Sequence, residues 1–204
     1  MNKTIRAIIF DFGGVLLDWN PRHLYRRYFP DQPLSMEKFL AEIHFSEWNE
    51  QQDKGRPFAE GVAELSTQFP SYHQLIRAYD DHWEETIAGQ FTGTIKILHI
   101  LKISGYKLFG LSNWSSEKYV LTRPRYSFFE LFDDIIVSGE VHMIKPDPAI
   151  FQLLLQRINL PASECLLVDD SAGNVEAARS LGFSTIHFTK PELLEIELHR
   201  MNVL

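Results

Sequence analysis

Four places in the chain put polar residues where chemistry could use them. Ile8-Ile9-Phe10 ends on Asp11, followed by Gly13-Gly14 and a second apolar run, Val15-Leu16-Leu17. The run at 107–111 ends on Ser112-Asn113, and the run at 165–168 ends on Asp169-Asp170. Lys145 stands before a proline in the loop IKPDP. A carboxylate at the tip of a buried strand is costly unless something pairs with it. Several carboxylates at neighbouring tips offer the hard oxygen donors that Mg²⁺ prefers. Each feature also has a plainer reading. Asp170 or Ser171 could cap the next helix, Ser112-Asn113 could be turn residues, and Lys145 could be a solvated loop lysine. It is their joint occurrence that points to a site.

Other chemistries lack their patterns. No G-x-G-x-x-G follows Gly13-Gly14, and the chain holds no P-loop G-x-x-x-x-G-K-[ST]. The eight histidines show neither H-x-x-H nor H-E-x-x-H spacing, so zinc is not expected.

The elements that would carry these residues follow from periodicity. Ile8-Ile9-Phe10 reads as a buried strand and the glycine pair as a sharp bend. From Asn20 to about Gly89 no strand is expected. That segment is helical in rhythm, with helices opening at Pro21, near Leu34 and at Pro57, and a fourth over 72–87. From Phe91 strands and helices alternate. Helices are expected at 94–104, 115–121, 148–158, 172–181 and 192–201, and strands at 107–111, 134–137, 165–168 and 185–188. Such alternation predicts an α/β fold: a Rossmann-like, doubly wound parallel sheet covered on both faces. The helical segment would be an inserted bundle. The expected division is a discontinuous core, residues 1–17 and 90–204, and a helical cap, residues 18–89. In such sheets the ligand lies at the carboxyl ends of the strands, where Asp11, Ser112-Asn113 and Asp169-Asp170 fall.

The 204 residues are 45% hydrophobic, enough for a substantial core. A net charge of −7 argues against nucleic acid as a partner. It leaves room for a phosphorylated substrate, because a metal and a few local cations can hold phosphate. The single cysteine, Cys165, lies in an apolar run and reads as a core residue. No stretch approaches the length of a membrane span, and the first residues lack the features of a signal peptide. A cytoplasmic protein, monomer or homodimer, without membrane or nucleic-acid partners, is the expectation.

Taken together the motifs resemble the haloacid dehalogenase-like hydrolase superfamily, subfamily I with a C1-type helical cap. DFGGVLLD is similar to its first motif, LSN to its second, Lys145 in IKPDP to its third and VDDS to its fourth, with the helical insertion between the first two. The resemblance implies a Mg²⁺-dependent phosphohydrolase acting on a small phosphorylated metabolite, a sugar phosphate among the candidates. Asp11 would be the nucleophile and form an aspartyl-phosphate. Mg²⁺ would sit on Asp11, the Gly13 carbonyl and Asp170, with Asp169 close by. Ser112, the backbone N–H of Asn113 and Lys145 would hold the phosphoryl group. Asn174 would support them from behind, or be a surface polar residue. Trp19, Asn20, Trp48, Arg56 and Trp114 are candidate substrate contacts, with core packing the alternative for each tryptophan.

One position departs from the pattern. Family phosphatases usually carry an Asp two residues after the nucleophile, where it moves the leaving-group proton. Gly13 stands there. Asp18 and His23 are candidate substitutes. Two other readings remain open: a metal-free 2-haloacid dehalogenase using Asp11, and a catalytically weak phosphate-binding or regulatory protein. Paired acids in the fourth motif favour the metal-dependent phosphohydrolase.

Overall fold

The computed structural model describes residues 4–204, so the first three residues of the expected core segment lie outside the described residues. The first apolar run forms β1 (Ala7–Phe10), followed by β2 (Leu17–Trp19). Five helices come next: α1 (Pro21–Tyr25), α2 (Pro33–Glu42), α3 (Phe45–Asp53), α4 (Phe58–Gln68) and α5 (His73–Asp81). After β3 (Ile87–Gln90) the alternation begins with α6 (Thr92–Ile103), β4 (Lys107–Ser112), α7 (Ser116–Thr122), β5 (Asp134–Val137) and α8 (Ser138–Val141). It continues through α9 (Pro148–Ile158), β6 (Cys165–Asp169), α10 (Ala172–Ser180), β7 (Ser184–His187) and α11 (Pro191–Arg200).

Five strands form one parallel sheet in the order β5-β4-β1-β6-β7. β1 takes the centre because it is apolar on both sides and no polar side chain interrupts it. Its alternation splits the core into two layers. Ile8 and Phe10 pack with Leu98 and Leu101 of α6 and with Leu194 and Leu198 of α11. Ala7 and Ile9 pack on the other side with Ile150, Phe151 and Leu154 of α9 and Ala178 of α10. Each large side chain enclosed in this way contributes about 1.5–3 kcal/mol. The expected doubly wound sheet is therefore the fold. Its order also makes β1 the switch point: β4 lies on one side and β6 on the other, so crossovers leave in opposite directions and open a crevice at the strand tips.

Two expectations are corrected. Residues 20–89 were expected to contain no strand, yet β3 pairs antiparallel with β2, Trp19 opposite Ile87. The helix expected over 72–87 stops at Asp81. A tight turn at Trp83–Thr86 follows, closed by the Thr86 hydroxyl donating to the Trp83 carbonyl at 2.7 Å. The β-branched pair Thr86-Ile87 then favours extended chain. The expected boundaries 17/18 and 89/90 consequently fall inside the two strands of this ribbon.

The helix α3 has no counterpart among the expected four. Its buried face mixes Phe45 and Trp48 with Asn49 and Gln52, so the apolar stripe is short. Those polar groups are satisfied locally: Gln52 donates to the Trp48 carbonyl at 2.6 Å, and the Trp48 indole donates to the Gly61 carbonyl at 3.0 Å. Around them Tyr25, Phe39, Phe45, Trp48, Phe58 and Tyr79 make an aromatic core, with ring pairs such as Phe45–Tyr79 meeting edge to face at 4.9 Å.

Candidate active site

Asp11 leaves β1 at its carboxyl end, with its backbone N–H bonded to the Val168 carbonyl of β6 at 3.0 Å. The chain then turns back on itself. The Phe12 carbonyl accepts from Leu16 and Leu17, each at 2.9 Å, and Gly14 takes φ +73°, a region that glycine enters at little cost. Phe12 is pinned against Gly110, where any side chain would overlap its ring. The loop is therefore rigid where it presents Asp11.

Three groups converge on that carboxylate. Ser112, at the tip of β4, donates its hydroxyl to Asp11 Oδ1 at 2.7 Å, and the Phe12 backbone N–H donates to the same oxygen at 2.7 Å. Lys145 Nζ lies 2.9 Å from Asp11 Oδ2 and 2.6 Å from Asp169 Oδ2. Lys145 is not a solvated loop lysine: its side chain is fully enclosed. Asn113 clamps its backbone, donating to the Lys145 carbonyl and accepting from its N–H, both at 2.8 Å. Burial pulls the ammonium pKa down, but the charges of Asp11 and Asp169 outweigh it and the net shift is upward.

Asp169 is enclosed and fully engaged. The Ser171 N–H donates to its Oδ1 at 2.9 Å, and Asn174 Nδ2 lies 3.0 and 3.2 Å from its two oxygens. Asn174 is thus buried behind the acid cluster, not a surface polar residue. Asp170 is the exposed member. It occupies the space that Gly14 leaves open, where a Cβ would overlap its carboxylate. One ligand atom from each of Asp11, Asp169 and Asp170 fits within a 4.8 Å span. Three carboxylates against one ammonium leave a formal charge of −2. Burial pushes Asp11 up to about 7, with the charges of Asp169 and Asp170 adding and Lys145 opposing; burial and the Asp169 charge raise Asp170 likewise. Hard oxygens with surplus negative charge suit a divalent cation.

Besides a wide cleft of about 770 Å³ along α2 and α3 that reaches Asn113, Lys145 and Asn174, two spaces adjoin the cluster. A cleft of about 320 Å³ is bordered by Asp11, Gly13, Gly14, Ser112, Asn113, Asp170, Asn20 and Asp53. A smaller cavity of about 70 Å³ has mostly aromatic and aliphatic walls: Leu17, Trp19, Tyr79, Trp83, Ile87 and Trp114. Among the described residues, the indole N–H groups of Trp19 and Trp114 have no partner. Of the expected substrate contacts, Trp19, Trp114 and Asn20 border these spaces. Trp48 does not; it is core. Arg56 does not either, being bonded to Gln52 at 2.7 Å and Glu64 at 2.6 Å. Asp18 and His23, the candidate substitute acids, pair with each other at 3.0 Å and border neither space.

The sequence reading missed Asp53, at the end of α3, with Asn49 and Tyr79 behind it. Tyr79 donates to Asn49 Oδ1 at 2.8 Å, and Asn49 Nδ2 donates to Asp53 Oδ2 at 3.0 Å. The spacing of Phe45, Trp48, Asn49 and Gln52, one helical face, was the available signal. Burial pushes the Asp53 carboxyl from 3.8 up to about 7; the Ser115 backbone amide opposes, and the charges of Asp11 and Glu50 add. A folded-state value above the unfolded one contributes stability that is full below about pH 3.8 and lost as pH rises through about 7. In metal-free buffer, the thermal midpoint of Asp53→Asn is expected to fall less than that of wild type across this window. Parallel slopes would contradict the placement.

Known proteins resemble this chain in sequence and in fold. A family model described as a haloacid dehalogenase-like hydrolase matches residues 5–182. A sesquiterpene phosphatase of Aspergillus oryzae is 29% identical over 210 residues, covering 98% of this chain and 98% of the relative. A drimenol cyclase of Aspergillus calidoustus is 28% identical over 200 residues, covering 95% of this chain, which spans only 36% of that relative's length. Among solved structures, a HAD family enzyme of Bacteroides thetaiotaomicron in complex with magnesium and inorganic phosphate superposes with a TM-score of 0.68. It is 24% identical and covers 91% of this chain and 94% of that one.

Proposed function

The chain belongs to the haloacid dehalogenase-like hydrolases, and from that membership we propose that it is a Mg²⁺-dependent phosphohydrolase acting on a small phosphorylated metabolite. The observation that carries the reading is the acid cluster around Lys145: a nucleophile-ready carboxylate, a locked ammonium and two further acids at adjacent strand tips. The sesquiterpene phosphatase relative and the neighbour crystallised with magnesium and phosphate point the same way.

In this reading Asp11 attacks phosphorus, the bond to the leaving oxygen breaks, and an aspartyl-phosphate forms. Ser112 already points its hydroxyl at Asp11 and would turn it to a phosphoryl oxygen. The backbone N–H of Asn113 is the second donor, since the Asn113 side chain is committed to Lys145. Lys145 brings fixed positive charge to the in-line geometry at no reorganisation cost. Asp169 holds that lysine, and Asn174 and the Ser171 amide hold Asp169. Asp11, Asp170 and the Gly13 carbonyl would hold Mg²⁺, with Asp169 close behind. The ion, when bound, neutralises the phosphate charge that would otherwise repel the nucleophile. Residues 18–89, carried on the β2–β3 ribbon, act as a cap over the cleft.

The organic part of the substrate is directed to the aromatic cavity. Its walls suit a leaving group with an apolar face, which covers prenyl-type alcohols and the stacking face of a sugar. The reading is tested by steady-state hydrolysis of a panel of sugar, prenyl and aryl monophosphates with Mg²⁺ and with EDTA. Phosphate release that EDTA abolishes is the expected result. Metal-independent halide release from a 2-haloacid, with no phosphate released, would overturn it.

Gly14→Ala probes the metal site separately. An added methyl displaces Asp170 and strains a positive φ, so the Mg²⁺ concentration for half-maximal activity is expected to rise by about tenfold or more. An unchanged Mg²⁺ requirement would remove Asp170 from the ligand set.

A further inference from the structure

Resting on the phosphohydrolase reading, we propose that Asp53 is the general acid of this enzyme, delivering from α3 the proton that Gly13 cannot supply to the leaving oxygen. The cleft beside Asp11 and the aromatic cavity share a boundary. The phosphoryl group belongs in the cleft beside Asp11 and Ser112, and the organic group extends into the aromatic cavity. The bridging oxygen must lie where they meet. Five residues border both spaces: Gly13, Trp19, Asp53, Ser112 and Asn113. Asp53 alone among these five carries an ionisable side chain.

Its surroundings prepare it for the task. Asn49 donates to Oδ2 and the Ser115 backbone N–H also faces the carboxyl, so the group is held in place at the boundary. Tyr79 fixes the Asn49 amide by donating to its oxygen, which turns the Asn49 nitrogen toward Asp53. Burial and the Asp11 and Glu50 charges favour the protonated form into the neutral range.

The step balances. Asp11 forms a bond to phosphorus, the phosphorus–oxygen bond to the leaving group breaks, and the departing oxygen takes the Asp53 proton and leaves as a neutral alcohol. Asp53, now a carboxylate, accepts a proton from the water that attacks the aspartyl-phosphate. Inorganic phosphate leaves, and Asp11 and Asp53 return to their starting states. A cap-borne acid also ties chemistry to closure, because the proton arrives only when α3 lies over the core.

The test compares leaving groups. In wild type and Asp53→Asn, kcat/KM, which reports phosphoryl transfer up to departure of the leaving group and not the later hydrolysis of the aspartyl-phosphate, is measured with Mg²⁺ for the best alkyl monophosphate of the panel and for 4-nitrophenyl phosphate, whose phenolate departs without a proton. The alkyl ester is expected to lose about 10²–10³-fold and the nitrophenyl ester less than about tenfold. An equal loss for both esters, or no loss for either, overturns the assignment. Calorimetric titration with inorganic phosphate and Mg²⁺ guards against a damaged fold: affinity within about threefold of wild type is expected. Lost affinity would make Asp53 a binding or structural residue and overturn its role as acid. If wild type hydrolyses neither ester, the phosphohydrolase reading itself falls and the assignment with it.

Discussion

In the Asp11→Asn variant kcat is expected to fall by roughly 10⁴-fold or more, while the denaturation midpoint stays near that of wild type. An amide oxygen is too weak a nucleophile to attack a phosphate ester, so the covalent route closes. The fold has reason to survive. Asn keeps the shape and the Oδ1 acceptor for the Ser112 hydroxyl and the Phe12 N–H. Lys145 loses one partner but keeps Asp169 at 2.6 Å. One negative charge leaves a crowded cluster in which Asp11, Asp169 and Asp170 repel one another. Phosphate release above a tenth of the wild-type rate, in protein free of wild-type contamination, would remove Asp11 from the nucleophile's role.

Lys145→Met carries the second large effect, and it reaches both activity and stability. Removing a preorganised charge from a transition state costs about 10²–10³-fold in rate. Here the same change leaves Asp11 and Asp169 facing each other without the ammonium between them. Breaking a buried ion pair by removing one partner costs about 3–5 kcal/mol. Urea denaturation of the metal-free variant should therefore show a loss of that order, and steady-state kinetics a fall in kcat. Added Mg²⁺ should recover part of the stability and little of the rate, because the ion can offset the orphaned charge but cannot occupy the position of the lysine. A variant with unchanged stability would mean that the lysine is held more loosely than its enclosed geometry implies.

The strand tips were legible because their physics is local. An apolar run that stops at Asp11, at Ser112-Asn113 or at Asp169-Asp170 reveals both strand and tip without knowledge of the rest of the chain. Parallel pairing then brings those tips together: Phe10 sits opposite Gly110 on one side and Val168 on the other. Lys145 was legible only as a lysine before proline. That it is enclosed, clamped by Asn113 and shared between two carboxylates depends on contacts between residues 24 to 134 positions apart.

The chain between β2 and β3 was harder to read for the same reason. Helix α3 hides its buried face behind Asn49 and Gln52, whose hydrogen bonds exist only once Trp48, Tyr79 and Asp53 are in place. The ribbon of β2 and β3 pairs three residues with four across the whole helical segment, too short a pattern to register in either strand alone. The candidate substitute acids near Asp11 in sequence, Asp18 and His23, pair with each other at 3.0 Å instead. Asp53 reaches the site through space, from the far end of a helix whose existence the hydropathy pattern understated.

The most direct test of the central claim is mass spectrometry of acid-quenched enzyme taken during turnover of a good phosphomonoester with Mg²⁺. A single phosphoryl adduct on the peptide containing Asp11, absent from Asp11→Asn, is the predicted result. Turnover with no adduct on that peptide, or an adduct on another residue, would contradict it.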